Sequence, residues 1–149
     1  MGITYRKAKE CDIPAIEVLF LEMLRSIYGK DDVKGYEEGY LRRFFGESAD
    51  KIFVAESDEA VVGYISVVVL GDDVRYVYID DFCVDGEHRG RGIGTRLLRR
   101  CEEYSEKLGV TYIALHVEET NASARRLYEK NGYAPRKTEG TRILMSKTI

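Results

Sequence analysis

A glycine-rich turn between a strand-like run and a long amphipathic helix is the feature that most constrains this chain. The strand-like run ends at Val84, and the turn contains Gly90, Gly92 and Gly94. Glycines let a ligand come close to the backbone, and the free N–H groups at the start of a helix attract an anion. The sequence therefore predicts a phosphate-binding turn.

Two widespread phosphate-binding loops do not fit this turn. A Walker A loop needs a lysine after its last glycine, and the turn has no such lysine. A dinucleotide fingerprint needs Gly-x-Gly-x-x-Gly after the first strand of a βαβ unit. Here Leu97 takes the place of the third glycine when the motif is counted from Gly92, and roughly 80 residues precede the turn. Both nucleotide-binding interpretations fail.

Hydrophobic periodicity predicts the elements around the turn. The predicted order is β-α-α-β-β-β-α-β-α-β-β, which indicates an α/β fold in one domain of residues 1–149. We expect a mixed, mostly antiparallel sheet of about seven strands flanked by four helices. The predicted strands lie at 3–8, 52–55, 61–70, 75–84 and 112–117 with two more after Gly132, and the predicted helices begin at Asp12, near Tyr36, at Ile93 and at Asn121.

The composition excludes several kinds of protein. With 44% hydrophobic and 33% charged residues, the chain is expected to be globular. No apolar run approaches the roughly 20 residues that a bilayer span needs, and no signal peptide is evident. The net charge is −3 and no basic stripe carries interleaved aromatics, so nucleic acid is not an expected partner.

Three widely spaced cysteines bear on the compartment and on metal binding. Cys11, Cys83 and Cys101 form no Cys-x-x-Cys pair. This pattern predicts reduced, buried thiols in a cytoplasmic protein, with neither a disulfide frame nor a zinc site. We therefore expect no metal.

The motifs around the turn resemble those of the GNAT superfamily of acyl-CoA-dependent N-acyltransferases. Arg89-x-x-Gly92-x-Gly94 is similar to the family's phosphate-binding motif, and residues 79–84 look like its fourth strand. The run from Asn121 to Tyr133, with Ala124 and Leu127-Tyr128 inside it, resembles its second signature. The order of elements agrees along nearly the whole chain.

This resemblance implies acetyl-CoA as co-substrate. Its pyrophosphate would rest on the turn, and its pantetheine arm would lie along the fourth strand, which would splay from the fifth at a bulge. The implied cofactor-binding residues are Phe82, Cys83, Val84, Arg89, Gly90, Arg91, Gly92, Ile93, Gly94, Thr95, Asn121 and Tyr128. For Arg91, a solvated surface arginine is the alternative interpretation.

The resemblance also suggests catalytic roles. Tyr128 would protonate the departing CoA thiolate, although a tyrosine packed on a helix face is the alternative. Asp80 is the favoured general base and Glu118 the second choice, with a purely structural carboxylate as the alternative. Because Asp80 and Asp81 are adjacent on a strand, we expect them to point to opposite faces.

Three further side chains are expected to have no catalytic role. His88 is predicted to lie on the surface, and His116 to be a hydrogen-bonded histidine of a buried strand. Cys83 lacks an identifiable histidine partner, and direct transfer in a ternary complex needs no nucleophile.

The acceptor is expected to be a primary amine. In this family it enters beside the first two helices, which here carry carboxylates and tyrosines that suit a cation. A polyamine, a lysine side chain, a protein N-terminus and an amino sugar all stay open. A non-catalytic module that binds acyl-CoA is the alternative function. The resemblance also makes a homodimer plausible.

Overall fold

Seven β-strands form one sheet in a computed structural model, which describes residues 2–149. The three α-helices of these residues are α1 (Ile13–Tyr28), α2 (Ile93–Leu108) and α3 (Ala122–Lys130). The strands, in chain order, are β1 (Thr4–Lys7), β2 (Lys51–Ser57), β3 (Ala60–Leu70), β4 (Tyr76–Val84), β5 (Tyr112–Glu118), β6 (Ala134–Glu139) and β7 (Arg142–Thr148).

The sheet is mixed and mostly antiparallel, as predicted. Its order is β1-β2-β3-β4-β5-β7-β6, and only the central β4–β5 pair is parallel. That pair is short, because its last partners are Ile79 and Leu115 although β4 continues to Val84. The two strands therefore separate beyond Ile79, which confirms the predicted splay.

A bulge lies in β4 just where the strands separate. Ile79 pairs with Val67 of β3, and Asp81 pairs with the preceding residue of β3, so Asp80 is the extra residue. Ile79 and Phe82 belong to the same face, since both contact the core beneath α2. Asp80 and Asp81 consequently share the other face. The prediction that they point to opposite faces is wrong, because the bulge breaks the two-residue alternation.

The four predicted helical segments are present, with one change of type. The second predicted helix is a 3₁₀ segment over Tyr40–Phe45, and it ends before Gly46 as expected. It begins later than predicted because Gly39 has a left-handed backbone, with φ of 79°. Asp12 precedes α1, but its side chain accepts from the Lys9 amide and Arg6 and does not cap the helix.

Two hydrophobic cores lie on opposite faces of the sheet. The first is covered by α2 and α3 and includes Leu97 and Ile113, which are fully buried. The second is covered by α1 and the 3₁₀ segment and includes Ile16 and Phe44. Burying one such side chain contributes about 1.5–3 kcal/mol. These contacts fix α1 and α3 on either side of the gap between β4 and β5.

The cysteines differ in burial. Cys83 and Cys101 are buried, as predicted, whereas Cys11 is exposed, which corrects the prediction for that residue. Cys11 is exposed because the short 3₁₀ turn before α1 places it at the surface. Along residues 2–149, all three thiols are free.

No helix of this part of the chain has both the length and the apolar character needed to cross a membrane.

Candidate active site

A cavity of about 540 Å³ opens where β4 and β5 separate. One wall comes from the end of β4 and the glycine-rich turn, and the facing walls come from α1 and α3. Residues that line it include Met23, Ser26, Ile27, Phe82, Cys83, Val84, Arg89, Gly90, Gly92, Ile93, Gly94, Thr95, Thr120, Asn121, Ser123, Leu127, Tyr128 and Lys130.

The cavity brings together every residue predicted to bind the cofactor except Arg91. That arginine is exposed and lies outside the lining. The wall made by Met23, Ser26 and Ile27 of α1 was not predicted from the sequence. Their spacing of three and four residues is a helical signal, but it does not show what the helix face contacts.

The turn presents free backbone N–H groups to the cavity. Gly92 occupies the residue before α2 with a left-handed φ of 78°, and it has no side chain that could cap the helix. The first intrahelical amide is that of Arg96, which donates to the Gly92 carbonyl. The amides of residues 93–95 therefore lack helix partners and, with the helix dipole, form an anion site. Arg89 adds positive charge to the same lining.

Gly94 is needed for close packing between α2 and α3. A Cβ at this position would lie 3.2 Å from Leu127 Cδ2 and 3.5 Å from the Phe82 ring. The end of the Leu127 side chain would have to move by a few tenths of an ångström to admit a Cβ there. The third glycine of the turn thus serves the wall of the cavity in addition to contributing its amide to the anion site.

Tyr128 of α3 extends from the first core into the cavity. It is 7% exposed, and its ring lies 6.0 Å from that of Phe82. Burial raises the pKa of its phenol, and Asp81 and Cys83 raise it further. No hydrogen bond within residues 2–149 uses its hydroxyl. The phenol is therefore protonated at neutral pH and available to a ligand.

Asn121 has a structural role and a position in the cavity. Its side-chain oxygen accepts the Ala124 amide at 3.3 Å, which caps α3 as predicted. The residue also lines the cavity beside Thr120. Both roles suggested by the sequence are compatible with this placement.

On the α1 face of the sheet, the two aspartates of the bulge are bound by tyrosines. The Tyr40 hydroxyl donates to Asp80 at 2.6 Å, and the Tyr36 hydroxyl donates to Asp81 at 2.7 Å. The two tyrosine rings are stacked, with centroids 5.4 Å apart. Burial raises the pKa of the Asp81 carboxyl to about 7, and the charge of Asp80 contributes. Neither aspartate lines the cavity.

Glu118 lies at the end of β5 on this same face. Its carboxylate accepts the Tyr28 hydroxyl at 3.1 Å, which connects β5 to the last residue of α1. Glu118 is also outside the cavity lining. The two predicted base candidates, Asp80 and Glu118, therefore share one face of the sheet but not the cofactor cavity.

His116 is hydrogen-bonded through both ring nitrogens. Nδ1 lies 2.6 Å from the Tyr78 hydroxyl, and Nε2 lies 2.8 Å from Glu139 Oε2. His88, in contrast, has one such partner, with Nδ1 2.9 Å from Asp85 Oδ2. Sequence reasoning did not find the partners of His116, because they are 38 and 23 residues away along the chain.

No group of three metal-ligating side chains is close enough to hold an ion within residues 2–149. Acetyl-CoA needs no metal ion to bind here. Its anionic end fits the amides of residues 93–95, and its thioester arm fits the gap beside β4. The residues present thus suit a phosphate-bearing thioester.

Comparison with known proteins identifies the family. Residues 21–133 match the model of the acetyltransferase (GNAT) family. An uncharacterized N-acetyltransferase of Methanocaldococcus jannaschii is 36% identical over 134 residues, which are 89% of this chain and 78% of that protein. Human N-acetyltransferase 8B is 28% identical over 95 residues, and these cover 62% of this chain but only 42% of the human protein.

Solved structures share the fold. The PaiA N-acetyltransferase of Thermoplasma acidophilum, crystallised with coenzyme A, superposes with a TM-score of 0.82 at 20% identity over 100% of both chains. Arabidopsis thaliana Naa50, bound to the bisubstrate analogue CoA-Ac-MVNAL, superposes with a TM-score of 0.78 at 20% identity, again over 100% of both chains. The cavity, the turn and the family match together show that the chain belongs to the GNAT acetyltransferase family, whose co-substrate is acetyl-CoA.

Proposed function

We propose that this protein transfers an acetyl group from acetyl-CoA to a primary amine by direct attack in a ternary complex. The observation that carries this proposal is the cavity at the gap between β4 and β5, which joins an anion-binding turn to a buried, protonated Tyr128. A donor whose phosphate and thioester lie at opposite ends matches this arrangement.

The donor lies along β4 with its pyrophosphate on the turn. The amides of residues 93–95 and the guanidinium of Arg89 bind the phosphates. Beyond Ile79, the edge of β4 that faces β5 has no strand partner among the described residues. The backbone of residues 82–84 therefore pairs with the amides of the pantetheine arm, and Asn121 contacts the same arm.

Transfer proceeds without a covalent enzyme intermediate. The neutral amine attacks the thioester carbonyl, a C–N bond forms, and the C–S bond of the tetrahedral intermediate breaks. Tyr128 gives its phenolic proton to the departing thiolate, the nitrogen loses one proton to solvent as the amide forms, and Tyr128 regains a proton from solvent. Cys83 has no part in this step, because burial raises the pKa of its thiol and holds it in the protonated, poorly nucleophilic form.

The acceptor is a cationic primary amine that approaches from the α1 face. Asp80 and Glu118 lie on that face, together with the exposed ring of Tyr28. Carboxylates and an aromatic ring attract an ammonium group before it loses its proton. Asp80 as base, with Glu118 as second choice, stays a prediction from the sequence.

Location and assembly complete the proposal. A cytoplasmic location is supported by the free thiols of Cys83 and Cys101. A homodimer rests on the family resemblance alone. Light scattering on the purified chain measures the mass directly, and a monomeric mass contradicts the dimer.

The experiment follows release of the CoA thiol from acetyl-CoA with spermidine, lysine amide, a tetrapeptide with a free N-terminus and kanamycin. The wild type is compared with Tyr128→Phe, and Tyr112→Phe, a residue outside the cavity, is the matched control. We expect the wild type to release the CoA thiol with one class of amine. The rate of release should fall strongly in Tyr128→Phe and stay unchanged in Tyr112→Phe. Acetyl-CoA binding without release for any amine would favour the non-catalytic acyl-CoA module, and no binding would refute the site itself.

A further inference from the structure

We propose that Ser66 of β3 is a positioning residue for acetyl transfer, because it holds the bulge of β4 and thereby the backbone amide of Phe82. The proposal rests on the proposed function and adds a residue that lies outside the cavity lining. Among residues 2–149, the buried polar side chains are those of Asp12, Ser66 and Ser105, and Ser66 is 1% exposed. A buried hydroxyl needs hydrogen-bond partners, so its partners indicate its role.

The partners of the Ser66 hydroxyl are two backbone groups of Asp81. The Asp81 amide donates to Ser66 Oγ at 2.8 Å, and the same hydroxyl donates to the Asp81 carbonyl oxygen at 3.3 Å. The register of β3 against β4 shifts next to this contact, between Ser66 and Val67. The hydroxyl therefore connects the two strands where the extra residue interrupts their regular ladder. We refer to these two hydrogen bonds as the Ser66 clamp.

The side chain of Asp81 is held from the α1 face. Its carboxylate accepts the Tyr36 hydroxyl at 2.7 Å, and that hydroxyl also lies 2.8 Å from the hydroxyl of Tyr64. Asp81 is thus bound through its amide, its carbonyl and its carboxylate. The first two contacts lie toward β3 and the third toward the α1 face, so they leave free the edge of β4 that faces the gap.

The direction of the backbone amides follows from these contacts. The Asp81 amide points toward β3, where it donates to Ser66. The Asp85 amide also points toward β3, where it donates to the Val62 carbonyl oxygen at 2.7 Å. Because successive amides of a strand point to opposite edges, the amide of Phe82 points to the other edge, where β4 has separated from β5.

The Phe82 amide is therefore the group that the Ser66 clamp positions. Phe82 lines the cavity, and its ring lies 6.0 Å from that of Tyr128, the proposed proton donor. Attack of the amine turns the thioester carbonyl into an oxyanion, and an amide already aimed at this oxygen stabilises its charge. The carbonyl is restored when the C–S bond breaks, so the amide itself neither gains nor loses a proton.

A small displacement of this amide is enough to affect the rate. Phe82 directly follows Asp81, so a bulge that shifts without the Ser66 clamp moves the Phe82 amide with it. A misplacement of about 1 Å at a reacting centre costs about 10²-fold in rate. Ser66 can thus influence the transfer step without touching either substrate.

The phosphate end of the donor is independent of the Ser66 clamp. After the bulge, β4 pairs again with β3 at Cys83 and Val84, and the Asp85 amide continues this ladder. The phosphate-binding turn follows that regular stretch. We therefore expect loss of the Ser66 hydroxyl to change kcat more than it changes acetyl-CoA binding.

The test compares Ser66→Ala, which lacks the hydroxyl, with Ser66→Thr, which keeps one on Cβ. Ser105→Ala is the matched control, because Ser105 is 0% exposed and its hydroxyl also donates to a backbone carbonyl, that of Cys101 in α2. Urea denaturation measures the stability of each variant, and titration with acetyl-CoA measures the Kd. The fastest amine of the four-amine panel is used for the kinetics.

We expect Ser66→Ala to lower kcat by about 10-fold to 10²-fold and to change the Kd for acetyl-CoA by less than about threefold. Ser66→Thr restores most of the lost rate, since its hydroxyl can again bond to Asp81. Ser105→Ala loses stability without a loss of kcat. If Ser66→Ala does not fold, Ser66→Cys takes its place, because a thiol is a weaker donor and acceptor than a hydroxyl.

A spectroscopic measurement follows the position of the Phe82 amide without any acceptor amine. Acetyl-CoA labelled with ¹³C at the thioester carbonyl gives an isotope-shifted C=O stretching band in the infrared spectrum of the complex. A hydrogen bond that polarises the carbonyl lowers the frequency of this band. We expect the band to lie at higher frequency in Ser66→Ala than in the wild type, Ser66→Thr and Ser105→Ala.

The outcomes separate the two proposals. A band at the wild-type frequency in Ser66→Ala overturns the role of Ser66 and leaves the proposed function standing. A loss of kcat that Ser105→Ala shows to the same extent assigns the effect to stability and also contradicts that role. A wild type that binds acetyl-CoA but acetylates no amine overturns the proposed function, whereas the infrared band still decides whether Ser66 positions the amide against the donor.

Discussion

The Tyr36 hydroxyl donates to the carboxylate of Asp81 across 2.7 Å and also lies 2.8 Å from the hydroxyl of Tyr64. This group of three side chains joins the segment after α1 to the bulge of β4 and to β3. Burial raises the pKa of the Asp81 carboxyl to about 7, so the protonation state of this carboxyl changes near neutral pH.

Replacing Asp81 with asparagine should change how stability depends on pH. The carboxyl has a pKa of 3.8 when unperturbed and about 7 in the folded protein, so the folded state holds a proton that the unfolded chain has lost. The resulting stabilisation is complete below about pH 4 and disappears as the pH rises through 7. Each unit of pKa displacement corresponds to about 1.4 kcal/mol.

Urea denaturation at pH 5 and pH 8 measures this effect. We expect the free energy of unfolding of the wild type to fall more over that interval than that of Asp81→Asn, which carries no titrating group and still accepts from Tyr36. If the free energy of unfolding decreases equally in the two proteins between pH 5 and pH 8, the pKa of Asp81 is not raised in the folded state.

Tyr128→Phe should lower kcat by 10²-fold or more and leave the Kd for acetyl-CoA within twofold of the wild type. In the proposed reaction the phenol donates a proton to the thiolate, whereas the ring, which lies 6.0 Å from that of Phe82, is retained in the variant. Stopped-flow thiol detection and calorimetric titration measure the two quantities. A proportionate loss of acetyl-CoA binding would assign Tyr128 to donor binding and not to acid catalysis.

Gly92→Ala should weaken acetyl-CoA binding at least tenfold. The φ of 78° at Gly92 is strained for alanine, at a cost of about 1–2 kcal/mol, and the turn must relax away from its anion-binding geometry. Gly109→Ala is the control, since Gly109 has φ of 76° at the other end of α2 and both sites have open space around a Cβ. We expect similar losses of stability in denaturation but weaker binding only in Gly92→Ala. If Gly109→Ala weakens binding as much, the effect is a general consequence of helix-end strain.

Glu118→Gln should raise the KM for a cationic acceptor by about two- to fivefold without changing the Kd for acetyl-CoA. An exposed charge contributes at most about 1 kcal/mol, and salt screens it, so the difference should vanish in 1 M NaCl. Glu119→Gln is the neighbouring control, because Glu119 follows the end of β5 and the Tyr28 hydroxyl bonds to Glu118 instead. Identical salt dependence in both variants would remove Glu118 from acceptor recognition.

Local signals were sufficient to predict most of the residues that line the cavity. The turn at 89–95, the cap at Asn121 and the periodicity of α2 depend on residues that are neighbours in the chain. The family resemblance placed Tyr128 at the same site. The structure gathers the turn (apart from Arg91), Asn121 and Tyr128 around one cavity.

The α1 face of the sheet around β4 and β5 was less predictable, because its contacts join distant segments. The hydrogen bonds of His116 with Tyr78 and with Glu139 join residues far apart in the chain, so no local sequence pattern predicts them. The bulge at Asp80 depends on the register of β4 against β3, which a single strand does not reveal. Gly39 likewise sets the later start of the second helical segment through one backbone angle.

The extra residue in β4 also governs how the chain tolerates changes of length. Upstream of Asp80, the odd-numbered residues Val77 and Ile79 contact the first core, whereas downstream the even-numbered Phe82 and Val84 do so. Deleting Asp80 would remove the bulge and restore strict alternation with Phe82 and Val84 still on the core face, but only one aspartate would remain on the α1 face. Lineages that share the aspartate pair should therefore keep two residues between Ile79 and Phe82, whereas loss of one of them should leave the packing of the strand intact.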